Sequence, residues 1–155
     1  MAEKNNIPFP QANNFDNILK IVLIDDENNL KNNDFLKKLL VLGTDRQISY
    51  YLSACEFLGL LQRRNLTLLG KEIRNLPKDI QILKLSQLIV SSPVFGEVFF
   101  MKYFSGKQLS KDEISELISI IYGIDSDEVC GRRASTVSKW LEWIEKNKEN
   151  IMTLS

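Results

Sequence analysis

The sequence Leu58-Gly59-Leu60-Leu61-Gln62-Arg63-Arg64-Asn65-Leu66-Thr67-Leu68-Leu69-Gly70-Lys71-Glu72-Ile73 interrupts a chain that otherwise follows helical spacing. Its apolar residues flank a polar, basic centre, which predicts two short strands within residues 60–68 and a turn between them. Gly59 ends the element before the strands. The pattern Leu66-Thr67-X-X-Gly70 turns the second strand into a helix that ends before Pro77.

Three helices are predicted before this stretch, because apolar residues recur there every three to four positions. They start at Phe15 after a capping Asn13 or Asn14, run from Asn33 to Leu42 with Gly43 as the stop, and run from Asp45 to about Leu58 after a capping Thr44. The order helix, helix, turn, helix, hairpin is that of a winged helix-turn-helix unit, placed at residues 15–76. Residues 1–14 are polar and contain two prolines, so composition alone predicts an extended arm.

The second half repeats this plan with only weak sequence similarity. Helices are predicted over residues 80–91, 94–104, 111–122 and 131–147, with Ser110 and Glu113 forming a capping box before the third of them. Residues 148–155 form a tail too short for a two-strand wing, with at most one strand over 151–154. The sequence therefore predicts a mainly α fold with a small β-wing. Two winged helix-turn-helix units stand in tandem, residues 15–76 and 77–147, the second with a reduced or absent wing.

Composition excludes several classes of function. The 155 residues include no His and two Cys, which excludes Ser-His-Asp and Cys-His nucleophiles and His-containing or four-Cys metal sites. No Lys has an acid two positions earlier, as metal-dependent nucleases of the PD-(D/E)XK type require, and the chain has no Gly-rich phosphate loop. An acidic helix end explains residues 25–27 better than a cation site does. We expect no catalysis by this chain alone, no cofactor and no metal, unless it is a fragment or subunit of a nuclease.

The expected compartment is the cytoplasm. No apolar run reaches the ~20 residues of a membrane span, and the first residues lack an apolar signal core. Cys55 and Cys130 are typical of reduced, partly buried thiols, although a disulfide between them stays open. The net charge of zero argues against a polycation that binds nucleic acid without regard to sequence.

Charge is segregated along this neutral chain. Residues 46–74 contain five basic side chains against two acidic ones, and residues 131–139 contain three basic side chains and no acid. The basic parts are thus the two predicted recognition helices and the wing. Their outward polar side chains have the types that hydrogen-bond bases and phosphates. The candidate DNA-binding residues are Arg46, Gln47, Ser49, Tyr50, Ser53, Arg63, Arg64, Arg132, Arg133, Ser135, Thr136 and Lys139.

Alternatives remain open for several of these residues. The two polar helix faces have the composition of ordinary solvated surfaces, and Arg132 and Arg133, expected in the first turn of the last helix, have acids of residues 112–128 as alternative partners. Trp140 and Trp143 are interpreted as core or interface packing rather than base stacking. The aromatic helix 94–104 is interpreted as a seam between the halves or a dimer face. Of the neighbouring tyrosines 50 and 51, one ring must face inward.

Several strings together carry a resemblance. They are Ile7-Pro8-Phe9-Pro10-Gln11-Ala12-Asn13-Asn14-Phe15-Asp16-Asn17-Ile18, Asp45-Arg46-Gln47 with Tyr50-Tyr51, Ala54, Leu58-Gly59-Leu60, Leu66-Thr67-X-X-Gly70, Val94-Phe95-X-Glu97-Val98-Phe99 and Arg132-Arg133-Ala134-Ser135-Thr136-Val137-X-X-Trp140. Over about residues 7–146 the chain resembles a tandem winged-helix module found beside, or fused to, type II restriction endonucleases. The nuclease domain itself has no counterpart in this chain.

The resemblance implies a recognition or regulatory module that binds duplex DNA in a restriction-modification system. Cleavage would then lie in another domain or chain. The residues that carry over are Arg46, Gln47, Tyr50, Arg132, Arg133, Ser135 and Thr136. The arm from Pro8 to Asn13 also matches, which implies that it is ordered. Expected partners are duplex DNA, a nuclease or other chain, and a second copy bound through residues 94–104. The main alternative is a protein–protein interaction or dimerisation module built on winged helices.

Overall fold

The computed structural model describes residues 8–123 and 127–152, and the chain divides into two compact units, Met1–Pro77 and Lys78–Ser155. The described residues are mainly helical with one small antiparallel sheet, as predicted. The helices are α1 (Phe15–Val22), α2 (Asn33–Leu40), α3 (Asp45–Phe57), α4 (Leu68–Arg74), α5 (Lys78–Val90), α6 (Phe95–Ser105), α7 (Lys111–Tyr122) and α8 (Asp127–Met152). A 3-10 helix spans Glu27–Lys31, and the strands are β1 (Leu61–Gln62) and β2 (Asn65–Leu66).

Side-chain caps start the helices of the first unit where the sequence predicts them. Asn14 accepts a hydrogen bond from the Asp16 amide at 3.1 Å, and Thr44 accepts one from Gln47 at 3.2 Å. Thr67 caps α4 in the same way. Each cap satisfies an amide that the first helical turn leaves unpaired. The helices bury one apolar face each, and the fully buried side chains of this core include Phe15, Ile18, Ile21, Leu30, Leu36, Ile48, Leu60 and Ile73.

The end of α2 differs from the prediction that Gly43 stops it. Val41 takes the left-handed conformation, with φ 54°, and the Leu42 amide closes the helix by donating to the carbonyl of Lys37 at 2.9 Å. Gly43 lies two residues further on, where its amide donates to the side-chain oxygen of Gln47 at 2.9 Å. The helix ends early because the connection to α3 has to turn at residue 41.

Val41→Gly should stabilise the first unit by about 1 kcal/mol, because a β-branched residue is strained in the left-handed region that glycine adopts freely. Little burial is lost, since Val41 is 84% exposed. Urea unfolding followed by circular dichroism would show a higher midpoint with an unchanged slope. Val41→Ala keeps the Cβ and should recover only a small part of the gain. An unchanged midpoint for Val41→Gly would contradict the strain.

The predicted hairpin is present, and its turn is short. Leu61 pairs with Leu66 and Gln62 pairs with Asn65, so two residues form the turn. Arg63 and Arg64 have φ values of 49° and 62°. Positive φ at both central residues is the pattern of a type I′ turn, whose twist matches that of the strands but which usually contains Asn and Gly.

The second unit is built around α8, which packs against α5, α6 and α7. Trp140 is 0% exposed and stacks on Phe95 with ring centroids 5.0 Å apart. Trp143 is also buried, which confirms that both tryptophans belong to the core. Ser110 and Glu113 form the predicted capping box at the start of α7. The core residues of this unit include Ile82, Leu85, Ile89, Val94, Val98, Ile114, Ile118, Ala134 and Val137.

The bounds of α8 correct two predictions. The helix begins at Asp127 rather than Gly131, because Cys130 and Ala134, four residues apart, share its buried face and outweigh the ~1 kcal/mol cost of a helical glycine. Arg132 and Arg133 therefore lie beyond the first turn. The helix continues to Met152, so the predicted strand is wrong at residues 151 and 152, and residues 153–155 lie outside the described residues.

Among the described residues, no single helix has both the length and the apolar character needed to cross a membrane. Helices α5 and α6 reach that length only as a pair, and they are bent by 98° at the break between them.

Candidate nucleic-acid interface

The outward face of α3 carries a polar stripe. Ser49 and Tyr50 lie three and four residues after Arg46, and Ser53 lies four and three residues after them, which places all four on one side of the helix. Arg46 and Ser49 are exposed, whereas Tyr50 and Ser53 are half-buried. The opposite face packs into the core through Ile48, Tyr51, Leu52, Ala54 and Cys55. Burial raises the pKa of the Cys55 thiol, so this residue stays protonated.

Arg46 and Tyr50 form a pair on this stripe. The Arg46 Nε–H donates to the Tyr50 hydroxyl at 2.8 Å, and the guanidinium carbon lies 5.5 Å from the centre of the ring. Because Nε is occupied, the two terminal nitrogens remain, and these are the atoms that make paired contacts to a base edge or a phosphate. The pair thus holds an exposed cation in one orientation.

The neighbouring tyrosines face opposite ways, as the sequence requires. Tyr51 is buried, and its hydroxyl accepts a hydrogen bond from the Asn14 amide at 3.1 Å. This bond ties the end of the predicted N-terminal arm to α3. Phe9, also buried, contacts Phe57 edge-to-face at 5.8 Å, so the described part of the arm, from Pro8 onward, is ordered against α3.

The side chains of Gln47 and Arg64 make hydrogen bonds within the first unit. The side-chain oxygen of Gln47 holds the turn before α3 through the Gly43 amide. Arg64 is half-buried, and its Nη1 donates to the Asn33 side chain at 2.7 Å and to the Leu30 carbonyl at 3.5 Å. Of these two candidate DNA-binding residues in the turn, only Arg63 is exposed.

Charged side chains brace the hairpin and the start of α3. Lys37 Nζ lies 2.9 Å from a carboxylate oxygen of Asp45. This hydrogen bond and the charge of Lys37 lower the pKa of Asp45, with smaller contributions from Asn33 and Arg64. On the other side of the hairpin, Glu27 accepts a hydrogen bond from the Leu66 amide at 2.9 Å. These contacts fix the positions of the hairpin and of the start of α3.

The acidic run at residues 25–27 has a structural role, but not the expected one of ending the first helix, because α1 already ends at Val22 and Asp26 starts the 3-10 helix. Asp26 caps the 3-10 helix by accepting from the Asn28 amide at 3.0 Å, and Glu27 satisfies the edge of β2. Within residues 8–123 and 127–152, no three His, Cys, Asp or Glu side chains are grouped so as to hold a metal ion.

The candidate residues of α8 divide into exposed and buried ones. Arg132 and Lys139 are exposed, with Lys139 Nζ 3.6 Å from Glu142. Arg133 is half-buried, and its desolvation lowers the pKa of the guanidinium. Thr136 is 0% exposed, so its assignment to a DNA-contacting face is wrong. Its methyl group suits the core while its hydroxyl donates to the Arg132 carbonyl at 3.4 Å. Ser135 is half-buried and donates in the same way to Gly131 at 3.2 Å.

A model of a protein family described as a domain of unknown function, DUF7226, matches residues 17–149. The chain belongs to the DUF7226 family. No curated protein and no solved structure matches it. The family match covers both units of the structure, so the DUF7226 domain comprises the candidate residues of α3, the hairpin and α8 together.

Sequence reasoning missed the residues that brace the DUF7226 hairpin. Asn33 and Glu27 are 31 and 39 residues from their hydrogen-bond partners, and neither stands in a recognisable local pattern. No signal in the sequence identifies these partners, because the half-burial of Arg64 is visible only in the structure.

Helix α6 has an aromatic surface outside the core. Phe95 and Val98 are buried, but Phe100 and Phe104 are exposed and stack with ring centroids 5.2 Å apart. Tyr103, also exposed, donates a hydrogen bond to the carboxylate of Glu145, which raises the pKa of the tyrosine to about 12. This surface belongs to the helix that the sequence analysis interprets as a seam or dimer face.

Proposed function

We propose that this DUF7226 chain is a recognition or regulatory module that binds duplex DNA and is not catalytic by itself. Its first unit acts as a winged helix that places α3 in the major groove, with the hairpin as the wing. Its second unit is a further helix-turn-helix unit without a wing, in which α8 either contacts DNA or supports the first unit. A link to a restriction-modification system belongs to the same proposal and rests on the resemblance. A cytoplasmic location also belongs to it and rests on the expectation drawn from the apolar runs, the first residues and the two cysteines of the sequence.

The Arg46–Tyr50 pair is the observation that carries this proposal. An exposed arginine whose Nε is fixed by a neighbour presents its terminal nitrogens as a fork, which suits the O6 and N7 acceptors of guanine. Ser49 and Ser53 extend the same stripe with small hydrogen-bonding groups. The four residues of the stripe include no acid, and the neighbouring Asp45 is paired with Lys37 at 2.9 Å, which suits an approach to phosphates.

The backbone of the hairpin turn supports the same proposal. Left-handed φ values cost an arginine about 1 kcal/mol or more relative to glycine, so Arg63 and Arg64 make the turn less stable than Asn and Gly would. The contacts of Arg64 with Asn33 and Leu30 offset its strain. Arg63 is exposed, and backbone strain at a residue that is not packed in the core is more typical of a binding site than of a structural position.

Fluorescence anisotropy with random duplex oligonucleotides tests the proposal. Affinity should fall steeply between about 50 and 200 mM salt, since binding releases counterions from the phosphates. Arg46→Ala should weaken binding by about 10- to 100-fold at the lower salt. Lys84→Ala removes a similar charge from an exposed site on α5 and is the matched control. No binding at the lower salt, with protein in large excess, would overturn the proposal.

Arg63→Asn should have two opposite effects. Asn tolerates the left-handed region, so the first unit should gain about 0.5–1 kcal/mol of stability. The loss of one phosphate-facing cation should weaken DNA binding and reduce the log-log salt slope by about one. Urea unfolding and anisotropy on the same preparation measure both effects. A gain in stability without any loss of affinity would remove the hairpin turn from the interface.

Protein–protein interaction or dimerisation is the second candidate function, and the exposed rings of α6 favour it. Phe104 is 79% exposed, and contiguous exposed aromatic surface is typical of interaction sites. Sedimentation velocity over a range of concentrations would show self-association, and Phe104→Ser should abolish it. A monomer at all concentrations, together with salt-dependent DNA binding, would favour the first candidate.

A further inference from the structure

A groove with an apolar floor runs between α1 and α2 in the first unit. Its volume is about 730 Å³. Leu19 of α1 and Leu23, which caps the end of that helix, line one side, and Phe35 and Leu39 of α2 line the other. Each pair is spaced by four residues, so each side of the groove contributes one row of two apolar side chains to the floor. Leu23 and Phe35 are exposed, whereas Leu19 and Leu39 are half-buried.

The rim of this groove is acidic. Asp16 lies at one end of the groove, and Asp25 and Asp26 lie at the other. Lys20 is the one basic side chain among the lining residues, and Arg74 places a second cation beside the groove by donating to the Asp25 carbonyl at 3.0 Å. The three carboxylates still outnumber these two cations. Asp16 and Leu23 are seven positions apart, which is about 10 Å along the helix axis. The carboxylates therefore flank the apolar rows instead of interrupting them. Such a rim repels the phosphates of DNA and attracts cationic groups.

We propose that this α1–α2 groove binds an amphipathic helix of another protein that carries apolar side chains on one face and lysines or arginines beside them. Two apolar rows accept side chains at positions i, i+3 or i+4, and i+7, which is how helices are bound in grooves. The acidic rim selects basic helices over acidic ones by charge complementarity. The groove shares no residue with the stripe of α3 or with the hairpin turn, so this proposal does not rest on DNA binding.

Two fluorescent model helices of about 14 residues, four turns each, provide the probe. They share leucines at the same i, i+3, i+7 spacing and differ only in having Lys or Glu at the flanking positions. The full chain should bind the Lys helix at least about tenfold more tightly than the Glu helix, and the preference should shrink as salt is raised. Equal affinities, or no binding of the Lys helix, would overturn the proposal.

Variants locate the binding to the groove. Leu23→Ser and Phe35→Ser should each lower the affinity for the Lys helix by about tenfold or more, since they remove the exposed apolar floor. Phe104→Ser removes an apolar side chain that is even more exposed, 79% against 39% for Leu23 and 36% for Phe35, from the other unit and should leave the affinity unchanged. A loss with Phe104→Ser equal to that with Phe35→Ser would show that the helix binds exposed apolar surface in general, and would overturn the proposal.

A milder variant keeps the test valid if the serine substitutions unfold the chain. Asp25→Asn with Asp26→Asn preserves the oxygen that caps the 3-10 helix, because asparagine caps as well as aspartate does. This double variant should bind the Lys and Glu helices with nearly equal affinity, and a preference that persists would overturn the proposal. DNA anisotropy on Leu23→Ser, expected to match the unsubstituted chain, separates this site from the α3 stripe.

Discussion

Trp140→Ala should lower the free energy of unfolding of the second unit by about 3–5 kcal/mol. Trp140 is 0% exposed and stacks on Phe95 of α6, so alanine would leave a large cavity in the contact between α6 and α8. Since small domains are stable by only about 5–15 kcal/mol, much of the unit's stability would be lost. Urea unfolding measures the loss, with the fluorescence of Trp143 as a signal from this unit alone because the first unit has no tryptophan.

Two further variants separate packing from ring chemistry. Trp140→Phe keeps an aromatic ring against Phe95 and should lose clearly less stability than the alanine variant. Phe104→Ala removes an aromatic ring that is 79% exposed and should change stability by less than about 0.5 kcal/mol. A loss below about 1 kcal/mol for Trp140→Ala would show that α6 and α8 do not depend on this contact.

Features fixed by neighbouring residues could be predicted from the sequence. The caps by Asn14, Thr44 and Ser110 each depend on a side chain and an amide two or three residues later, and all three are present. The hairpin was also predictable, because a break in helical spacing and its basic centre lie within a few residues. The geometry of such features is determined by residues that are close together in the sequence.

Features fixed by distant partners could not be predicted. Val41 rather than Gly43 ends α2, because the required turn is set by where α3 packs and not by which residue turns most easily. Gly131 lies inside α8 for a similar reason: burial of Cys130 and Ala134 outweighs the low helix propensity of one glycine. Tertiary packing overrode local propensity at both positions.

The sequence predicted which polar residues lie near the candidate interface, but not which of them are buried or bonded within the fold. The outward stripe of α3 follows from helical periodicity, and Arg46 and Tyr50 lie on it as expected. Periodicity places Thr136 beside polar neighbours, yet the structure buries it, because threonine can bond its hydroxyl back to the helix. Arg64 has the same charge as Arg63, and only a contact 31 residues away gives it a different role.

Gly70→Ala should lower the stability of the first unit by about 2–3 kcal/mol. A Cβ at Gly70 would lie 2.4 Å from the carbonyl oxygen of Leu60, and this oxygen also accepts the Thr67 amide at 3.0 Å. The clash is with backbone, so no side-chain rotation relieves it. The usual gain of about 1 kcal/mol for glycine to alanine in a helix is too small to compensate. The hairpin and α4 must move apart, and urea unfolding followed by circular dichroism measures the cost.

Gly131→Ala is the matched control, because Gly131 is also helical but a Cβ there meets nothing within 4 Å. It should stabilise the chain by about 0.5–1 kcal/mol, the opposite sign from Gly70→Ala. Gly70→Ala also leaves every arginine in place, so DNA affinity measured on the fraction still folded tests geometry apart from charge. If DNA binding requires the hairpin to lie beside α3, the DNA affinity of Gly70→Ala should fall although its net charge is unchanged. Equal stability for the two alanine variants would mean that α4 does not need the close approach to Leu60.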